Sequence, residues 1–451
     1  MVVSPPTRKT ARADLVVGAA AIGFVLLATA VGFLTGARNY GADLHPRAAS
    51  RFGEYPVLAD LYPRIGPGSV FAVAIAAAVV LWGPALAERL RWGALLAAGY
   101  LTSVAWIFSL ALVDGWQRGV AHELESGGEY LGVVGKVTDI PRFLVTFSSR
   151  ILDFQPDSWP THVAGHPPGA TMVFVWLDRL GLSGGGAAGV VCVLAGAAVT
   201  VAVPVTIAAL GRADLARVAV PFVALLPGAI WLGVSADAMF AGVTAVGIAL
   251  FATGASRGAR VLCVAGGAVL GFGIFLSYGL LLMGPIALAV VLATRNWRAL
   301  LYAVPGALAV AGLFALGGFW WLDGYHLVVE RYHQGVAAHR PYWYWVWANL
   351  ACLTLAVGPA AVAGLRRTDF LTGLRRGQAE PVDALVRGAV LAVLAATLSG
   401  LSKAEVERIW LPFAVWLVLA VVSLPPRSRR WWLAAQAVTA LVVQHVLLTP
   451  W

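Results

Sequence analysis

The chain has 451 residues, of which 60% are hydrophobic and only 12% are charged, and its mean hydropathy is +0.80. A soluble domain carries about 25% charged residues, so this composition excludes a soluble globular protein and predicts an all-α polytopic membrane protein. The net charge of +10 comes from short arginine clusters between apolar runs, a pattern that is typical of membrane topology and argues against nucleic-acid binding.

Apolar runs predict about thirteen membrane-spanning helices, since a helix needs roughly 17 to 25 apolar residues to cross the hydrocarbon core. The runs cover residues 14–34, 68–86, 93–113, 186–210, 216–234, 236–253, 259–276, 278–294, 299–320, 344–364, 384–402, 408–424 and 431–449. Basic residues precede the first run, as in a signal peptide, but no small-residue cleavage site follows it, so we expect an uncleaved helix. The whole chain is expected to form one integral-membrane domain.

Basic clusters occupy every second connection if the N-terminus is cytoplasmic. These inside connections carry Arg89 and Arg91, Arg212 and Arg217, Arg257 and Arg260, Arg295 and Arg298, then Arg366, Arg367, Arg375, Arg376 and Arg387, and finally Arg427, Arg429 and Arg430. The outer connections include the long segments 35–67, 114–185 and 321–343, and all histidines except His445, from His45 to His339, fall in them. We therefore expect a multi-pass protein of the cell membrane whose working face is extracytoplasmic.

The segment from Thr161 to Leu182 contains a His-Pro-Pro sequence followed by a short apolar run. Proline lacks a backbone donor but can start a helix, so we expect a helix over 170–180 with His166 just before it. That helix is too short to span and is predicted to be interfacial or re-entrant. His162 and His166 are four residues apart, but Gly165 and the prolines argue against a shared helix, so we expect contact with an anionic ligand rather than a zinc site.

Three acidic residues stand at the outer ends of spans or in the outer loop. Asp114 ends the third span and Glu129 follows two glycines, so either carboxylate could act as a general base, or each could simply be solvated. Asp237 begins the sixth span just after Ser235, where a capping role is sufficient to explain it and a role in lining a cavity is the alternative.

The later outer connections combine cations with aromatic side chains. Tyrosines and tryptophans after residue 341 fit an aromatic belt at the membrane interface, but His333 and Arg340 just before them are not needed for one. The charged residues at the outer end of spans eleven and twelve form either a solvated helix end or, through Lys403 or Arg408, a ligand site; they are Lys403, Glu405, Glu407 and Arg408. Cations in these positions could bind a phosphate through charge-assisted hydrogen bonds.

Four short motifs occur in order along residues 93–300. They are Glu129-Tyr130, Gly165-His166-Pro167-Pro168-Gly169, Ser235-Ala236-Asp237-Ala238 and Leu276-Ser277-Tyr278-Gly279. In their order and loop sides they resemble the motifs of the GT-C class of integral-membrane glycosyltransferases, in particular the dolichyl-phosphate-mannose and aminoarabinose transferases. The resemblance implies a GT-C-like core over 93–300 with two extra N-terminal helices in 1–92, and it adds Tyr278 to the substrate-binding residues. The acid that precedes the motif histidine in that class is Gly165 here.

The resemblance implies transfer of a sugar from a polyprenyl-phosphate donor to a hydroxyl of a glycan, lipid or protein. We predict that Asp114 is the base and that Glu129 orients the sugar, with His162, His166, Asp237, Tyr278, His333, Arg340, Lys403 and Arg408 binding substrate. No cofactor is predicted, although the reaction is compatible with a divalent cation. The alternative is a polytopic transporter or a flippase for lipid-linked saccharides, which is disfavoured because the acids of spans four to thirteen lie only near the span ends.

Overall fold

The computed structural model describes residues 8–35, 56–370 and 380–450 of the chain. These residues are almost entirely helical, and their only strands are the two-residue pair Asp60–Leu61 (β1) and Leu447–Leu448 (β2), which run antiparallel. The predicted all-α class is therefore confirmed. His45, Arg375, Arg376 and most of the predicted connection 35–67 lie outside the described residues.

The first half of the described chain forms ten α-helices. They are α1 (Arg8–Thr35), α2 (Pro67–Arg89), α3 (Trp92–Ala111), α4 (Leu131–Val134), α5 (Ile140–Phe147), α6 (Thr161–Gly165), α7 (Pro168–Arg179), α8 (Gly184–Ala197), α9 (Val199–Ala209) and α10 (Ala213–Ala224). Short 3-10 turns at Leu112–Asp114, Glu123–Glu125 and Ser148–Arg150, and a π-turn at Gln117–Ala121, join them.

The second half continues the bundle. Its helices are α11 (Ala229–Leu232), α12 (Ala236–Arg257), α13 (Arg260–Leu276), α14 (Gly284–Thr294), α15 (Leu300–Leu316), α16 (Trp321–Gln334), α17 (Tyr342–Leu365), α18 (Pro381–Ser399), α19 (Val406–Ile409), α20 (Leu411–Leu417) and α21 (Arg429–Val446). Further 3-10 turns lie at Tyr278–Met283, Trp297–Ala299, Val336–His339, Val418–Ser423 and Pro426–Ser428.

Eight helices among the described residues are long and apolar enough to cross a membrane, or nine if one bent pair counts as a single span. The structure thus supports a multi-pass membrane protein but does not confirm thirteen spans. Two of the predicted spans form only the shorter apolar helices Arg260–Leu276 and Tyr278–Thr294. At 1.5 Å per residue, the 17 residues of the first of these rise about 26 Å, less than the roughly 30 Å of a hydrocarbon core.

Prolines and glycines account for the other differences between the predicted spans and the observed helices. They interrupt helices within runs whose hydropathy is continuously high. The predicted span 216–234 stops at Ala224, and Pro227 and Gly228 separate it from the four-residue helix α11. The predicted spans 408–424 and 431–449 form helices that meet at an angle of 115° across Leu424 and Pro425. A run of sufficient mean hydropathy therefore does not ensure one straight helix.

Two helices that are too short to span lie over the end of the bundle that carries the histidines. Helix α7 begins at Pro168, two residues before the predicted helix over 170–180, and Gly169 approaches α13 so closely that an added Cβ would stand 2.4 Å from the carbonyl oxygen of Phe275. Helix α16 fills much of the predicted loop 321–343, which the sequence did not indicate to be helical. Its first residue, Trp321, donates an indole hydrogen bond of 2.9 Å to the carbonyl of Ile274 and so fixes α16 across the end of α13.

Helices α1 and α17 run antiparallel, as contacts at both of their ends show. At the arginine-rich end, Asp14 near the start of α1 pairs with Arg366 at 2.9 Å and with Arg367 at 2.6 Å, both just after α17. At the opposite end, Tyr344 near the start of α17 donates 2.8 Å to the carbonyl of Ala28 near the end of α1. Arg366 and Arg367 therefore lie at the end of this helix pair opposite to Tyr344.

We expect the histidine-bearing end to face the outside of the cell. In a variant lacking Cys192, Cys263 and Cys352, single cysteines near Lys403 and His166 should react with a membrane-impermeant thiol reagent in intact cells, whereas a cysteine at position 257 should not. The same cysteine at position 257 should react once the membrane is permeabilised, which controls for burial. Labelling of position 257 in intact cells would contradict the predicted orientation.

Candidate active site

The ionisable side chains best suited to catalysis or ligand binding meet around Arg408, at the histidine-bearing end of the bundle. They come from three distant parts of the chain: the segment 115–166, the first turn of α12, and residues 403–408 before α20. Ser235 is the cap of α12, since its hydroxyl accepts a hydrogen bond of 3.2 Å from the Ala238 amide. Capping therefore does not require Asp237, and its carboxylate is directed to Arg408 instead.

Arg408 is 4% exposed, and acidic side chains surround its guanidinium. Its Nε lies 3.4 Å from Asp237 Oδ2, Nη1 lies 3.7 Å from Glu129 Oε1, and Nη2 lies 3.4 Å from Glu405 Oε2. Burial alone would lower the pKa of Arg408, but these carboxylates outweigh it and raise the pKa above its ordinary value. The guanidinium is therefore a permanent positive charge in the centre of three acids.

Glu129 and His162 form the second contact of the site. His162 Nδ1 lies 2.9 Å from Glu129 Oε1, and His162 Nε2 lies 3.2 Å from Nη2 of Arg408. A guanidinium has only donors, so the neutral ring of His162 accepts this bond at Nε2 and carries its proton on Nδ1, toward Glu129. Burial would lower the pKa of His162, but Glu129 outweighs burial and raises it. Burial would raise the pKa of Glu129, but His162 and Arg408 reverse this and hold that pKa below 4.5. Glu129 is thus ionised, and its Oε2 accepts no hydrogen bond from the described residues.

His166 has a defined tautomer for a different reason. Its Nδ1 lies 2.8 Å from the carbonyl oxygen of His162 and 2.8 Å from the hydroxyl of Tyr130. A carbonyl can only accept, so Nδ1 carries the proton. Burial lowers the pKa of His166 below 6.5, which keeps the ring neutral and leaves an acceptor lone pair on Nε2. The prediction of no helix between His162 and His166 is wrong in part, because α6 includes His162, although it ends at Gly165.

Arg340 and Lys403 form a cationic group beside Arg408. Arg340 Nη2 lies 3.3 Å from Glu405 Oε1, and its Nη1 donates to the carbonyl of Lys403. Lys403 Nζ donates 3.0 Å to the carbonyl of Ala337, and burial lowers the pKa of this ammonium. Glu405 therefore connects this group to Arg408, which brings Arg340, Lys403 and Arg408 of the predicted site together.

Asp114 lies apart from this network, at the end of α3 as predicted. Arg64 pairs with it at 2.5 and 2.9 Å, and Gln444 donates a third hydrogen bond at 3.0 Å. Both carboxylate oxygens are therefore already occupied. Glu123 lines a cavity of about 30 Å³ together with Asp114 and Gln444. Burial raises the pKa of Glu123 to about 7, and both Glu129 and Asp114 add to this rise, so Glu123 connects the two regions electrostatically.

Tyr278 and His333 also lie outside the contacts of Arg408. Tyr278 packs under α16, with its ring centroid 5.3 Å from that of Trp321, and its buried hydroxyl has no hydrogen-bond partner among the described residues. His333 is exposed on α16, and its ring centroid lies 5.7 Å from that of Tyr332. The predicted substrate-binding role of these two residues remains a prediction.

An apolar cleft lies directly behind Tyr130. It has a volume of about 310 Å³ and is bounded by α4, α7 and the start of α8. Phe174 forms part of its wall and stacks on Tyr130 at a centroid distance of 5.0 Å, and Tyr130 in turn contacts His166. The carboxylates of Glu125 and Asp178 are among the lining groups. The cleft thus provides apolar surface separated from the charged site by two aromatic rings.

Sequence reasoning did not assign Tyr130, Glu123, Glu405 or Glu407 to the site. Tyr130 and Glu405 each stand within three residues of an assigned residue, which is the signal that could have found them. Glu407 stands next to Arg408 and had the same signal; it is fully buried, and neither of its oxygens has a hydrogen-bond partner among the described residues. A search of the described residues also finds no group of three or more His, Cys, Asp or Glu side chains arranged to hold a metal ion.

Comparisons with protein-family models, curated proteins and solved structures found no match to this chain. The resemblance to the GT-C class therefore rests on the four short motifs alone and stays a prediction. The chemistry of the site has to be argued from its own contacts, which place an ionised carboxylate, the imidazole of His162 and a buried guanidinium side by side.

Glu407 generates a prediction about stability and pH. Burial raises its pKa to about 7, whereas the unfolded chain loses the same proton near 4.5. The contribution of protonated Glu407 to the free energy of unfolding is therefore fully present below pH 4.5 and is lost as the pH rises to about 7. Since glutamine is neutral at every pH, Glu407→Gln should raise the melting temperature in detergent at pH 8 and change it little at pH 5. Glu330→Gln, at an exposed position on α16, is the control; a pH-independent effect of Glu407→Gln would contradict the assignment.

Proposed function

We propose that the protein is a membrane glycosyltransferase that moves a sugar from a polyprenyl-phosphate donor to a hydroxyl acceptor. The observation that carries the proposal is the contact of ionised Glu129 with His162 and Arg408 at the histidine-bearing end of a membrane bundle. Glycosyl transfer to a hydroxyl needs a proton acceptor and a cation for the departing phosphate, and this site offers both within one network.

The reaction follows from these groups. The acceptor oxygen attacks the anomeric carbon while the bond from that carbon to the phosphate oxygen breaks, and its electron pair leaves with the phosphate. Glu129 takes the acceptor proton through its Oε2, and Arg340, Lys403 and Arg408 stabilise the phosphate. His166 Nε2, which can only accept in the neutral tautomer, is suited to receive a hydrogen bond from a sugar or acceptor hydroxyl.

This assignment prefers Glu129 over Asp114 as the base, in contrast to the order predicted from the sequence. The preference is supported by the hydrogen bonds of the two carboxylates: three donors from Arg64 and Gln444 occupy Asp114, whereas Glu129 keeps one oxygen for a ligand. Asp114 then has a structural role, because it joins the end of α3 to the chain beside β1 and to α21.

The base assignment is tested by transfer assays on purified variants with polyprenyl-phosphate sugars. Glu129→Gln should lower turnover by about 10²–10⁴-fold, the usual contribution of general-base catalysis, with donor binding retained. Asp114→Asn should lower the melting temperature more than turnover, since it weakens the pair with Arg64. Asp139→Asn, which alters an exposed helix cap in the same segment, is the control. A large loss of turnover in Asp114→Asn alone would restore the original order, and activity in both variants would reject the proposed reaction.

The phosphate assignment is tested separately by binding. Arg340→Ala or Lys403→Ala should weaken donor binding by about 1–3 kcal/mol, the scale for removing one partner of a charged hydrogen bond. Lys136→Ala removes an exposed cation of the outer segment 114–185 and is the matched control. Unchanged affinity in both site variants would reject these residues as phosphate ligands.

A transporter or flippase remains the alternative, and the same preparation separates the two. A transporter in proteoliposomes would move the lipid-linked sugar between leaflets without forming a new glycosidic bond. A glycosyltransferase would form the product in detergent, where no second leaflet exists.

A further inference from the structure

Two adjacent residues before α19 have a backbone conformation that side chains disfavour. Ala404 has a φ of 67° and Glu405 a φ of 62°, both in the left-handed region where a Cβ crowds the following carbonyl. Such strain persists only where surrounding contacts enforce it, and it clusters at ligand clamps and switch regions. The turn at 404–405 therefore needs a cause in the structure around it.

The side chain of Asn349, in α17, is hydrogen-bonded to the backbone of this turn. It is 1% exposed, its Nδ2 donates 2.6 Å to the carbonyl of Ser402, and its Oδ1 accepts 3.1 Å from the amide of Ala404. Both bonds join the amide of one rigid helix to the backbone of the turn. They fix the position of the turn through its backbone alone and do not involve the carboxylate of Glu405.

The result of the strained turn is that one carboxylate bridges two guanidiniums. Glu405 Oε1 lies 3.3 Å from Arg340 Nη2, and Oε2 lies 3.4 Å from Arg408 Nη2. Burial would raise the pKa of Glu405, but Arg340 and Arg408 outweigh it and lower that pKa, so the carboxylate is charged. A phosphodiester has the same single charge and likewise presents two equivalent oxygens, so it can make the same bridge.

We propose that the Glu405 carboxylate occupies, in the ligand-free protein, the place of the donor phosphate between Arg340 and Arg408, and that a phosphodiester displaces it. The inference rests on the proposed function and specifies its substrate class. Of the three carboxylates around Arg408, Glu405 has the most exposed side chain, at 20% against 9% for Glu129 and 7% for Asp237. It is also the only one of the three on the strained turn, which gains freedom when the carboxylate leaves.

Counting formal charges defines the ligand further. With the ring of His162 in its neutral form, the charges of Arg340, Lys403 and Arg408 balance those of Glu129, Asp237 and Glu405, so the ligand-free site is neutral. Withdrawal of Glu405 leaves a surplus of one positive charge, which a singly charged phosphodiester neutralises and a diphosphate exceeds. The site is therefore expected to prefer a lipid linked to its sugar through one phosphate over a lipid linked through two.

The test measures binding of a methyl farnesyl phosphodiester to the full-length protein in detergent, with no transfer step. Glu405→Gln removes the competing charge and should tighten binding about tenfold, a change of 1.4 kcal/mol. Glu405→Asp keeps the charge but shortens the side chain, so that it cannot reach both guanidiniums, and should tighten binding to a smaller extent. Asp237→Asn removes the same charge from Arg408 without freeing Arg340 and serves as the control; it should tighten binding less than Glu405→Gln.

Each contrary result has a definite meaning. Weaker or unchanged binding in Glu405→Gln would show that Glu405 positions the arginines and is not displaced. Equal gains in affinity in Glu405→Gln and Asp237→Asn would show that removal of any nearby negative charge strengthens binding, without displacement of Glu405. Absence of binding in both the wild type and Glu405→Gln would also overturn the inference, as would a preference for farnesyl diphosphate. If Glu405→Gln fails to fold, Glu405→Asp decides alone. Sugar transfer by the wild type is measured independently, so failure of the displacement model leaves the proposed reaction standing, and failure of transfer rejects that reaction whatever the binding shows.

Discussion

A buried guanidinium must have acceptors, and Arg408 obtains them from widely separated parts of the chain. The cost of burying one ion is still several kcal/mol after relaxation, so Arg408 at 4% exposure is tolerated only because Glu129, Asp237 and Glu405 surround it. Since Glu129 belongs to the long segment after α3 and Asp237 to the first turn of α12, this one side chain holds the outer segment against the helical bundle.

The same charge also separates the acids of this region into two protonation states. Glu129 and Glu405 contact guanidiniums or an imidazole, and their pKa values are lowered in spite of burial. Glu123 and Glu407 are buried without such a contact, and their pKa values rise to about 7. Pairs of carboxyl groups pushed in opposite directions are the usual means by which a site provides a charged base and a neutral acid at one pH.

The helices around the site are short or bent for reasons that also position its residues. The break after α10 and the 115° bend between the last two helices occur at prolines, and α16 lies across the end of α13 instead of crossing the membrane. Helix α16 brings Trp321 against Tyr278, and Arg340, which follows this helix, pairs with Glu405 of the turn at 404–405. Non-helical backbone at membrane depth is tolerated where protein packs around it, and the buried backbone after α10 fits that condition.

The sequence by itself determined the all-α membrane class, the alternation of arginine connections with histidine connections, and the presence of Glu129, Asp237 and Arg408 at one end. These features depend on local composition and on the order of apolar runs, which can be read from a single chain. The sequence did not determine the number of straight spans, because whether a proline bends or ends a helix depends on the packing of neighbouring helices. It also missed α16, whose mixed polar and aromatic composition resembles a loop.

Only the tertiary structure decided which charges meet. Asp114 looked like the better held base because it ends a helix, yet Arg64 and Gln444, which is 330 residues away in the chain, occupy its oxygens. Glu405 looked like part of a solvated helix end, yet a left-handed turn places it between Arg340 and Arg408. Periodicity and hydropathy describe neighbours along the chain, whereas ion pairs and the pKa values they produce depend on contacts between residues that are distant in sequence.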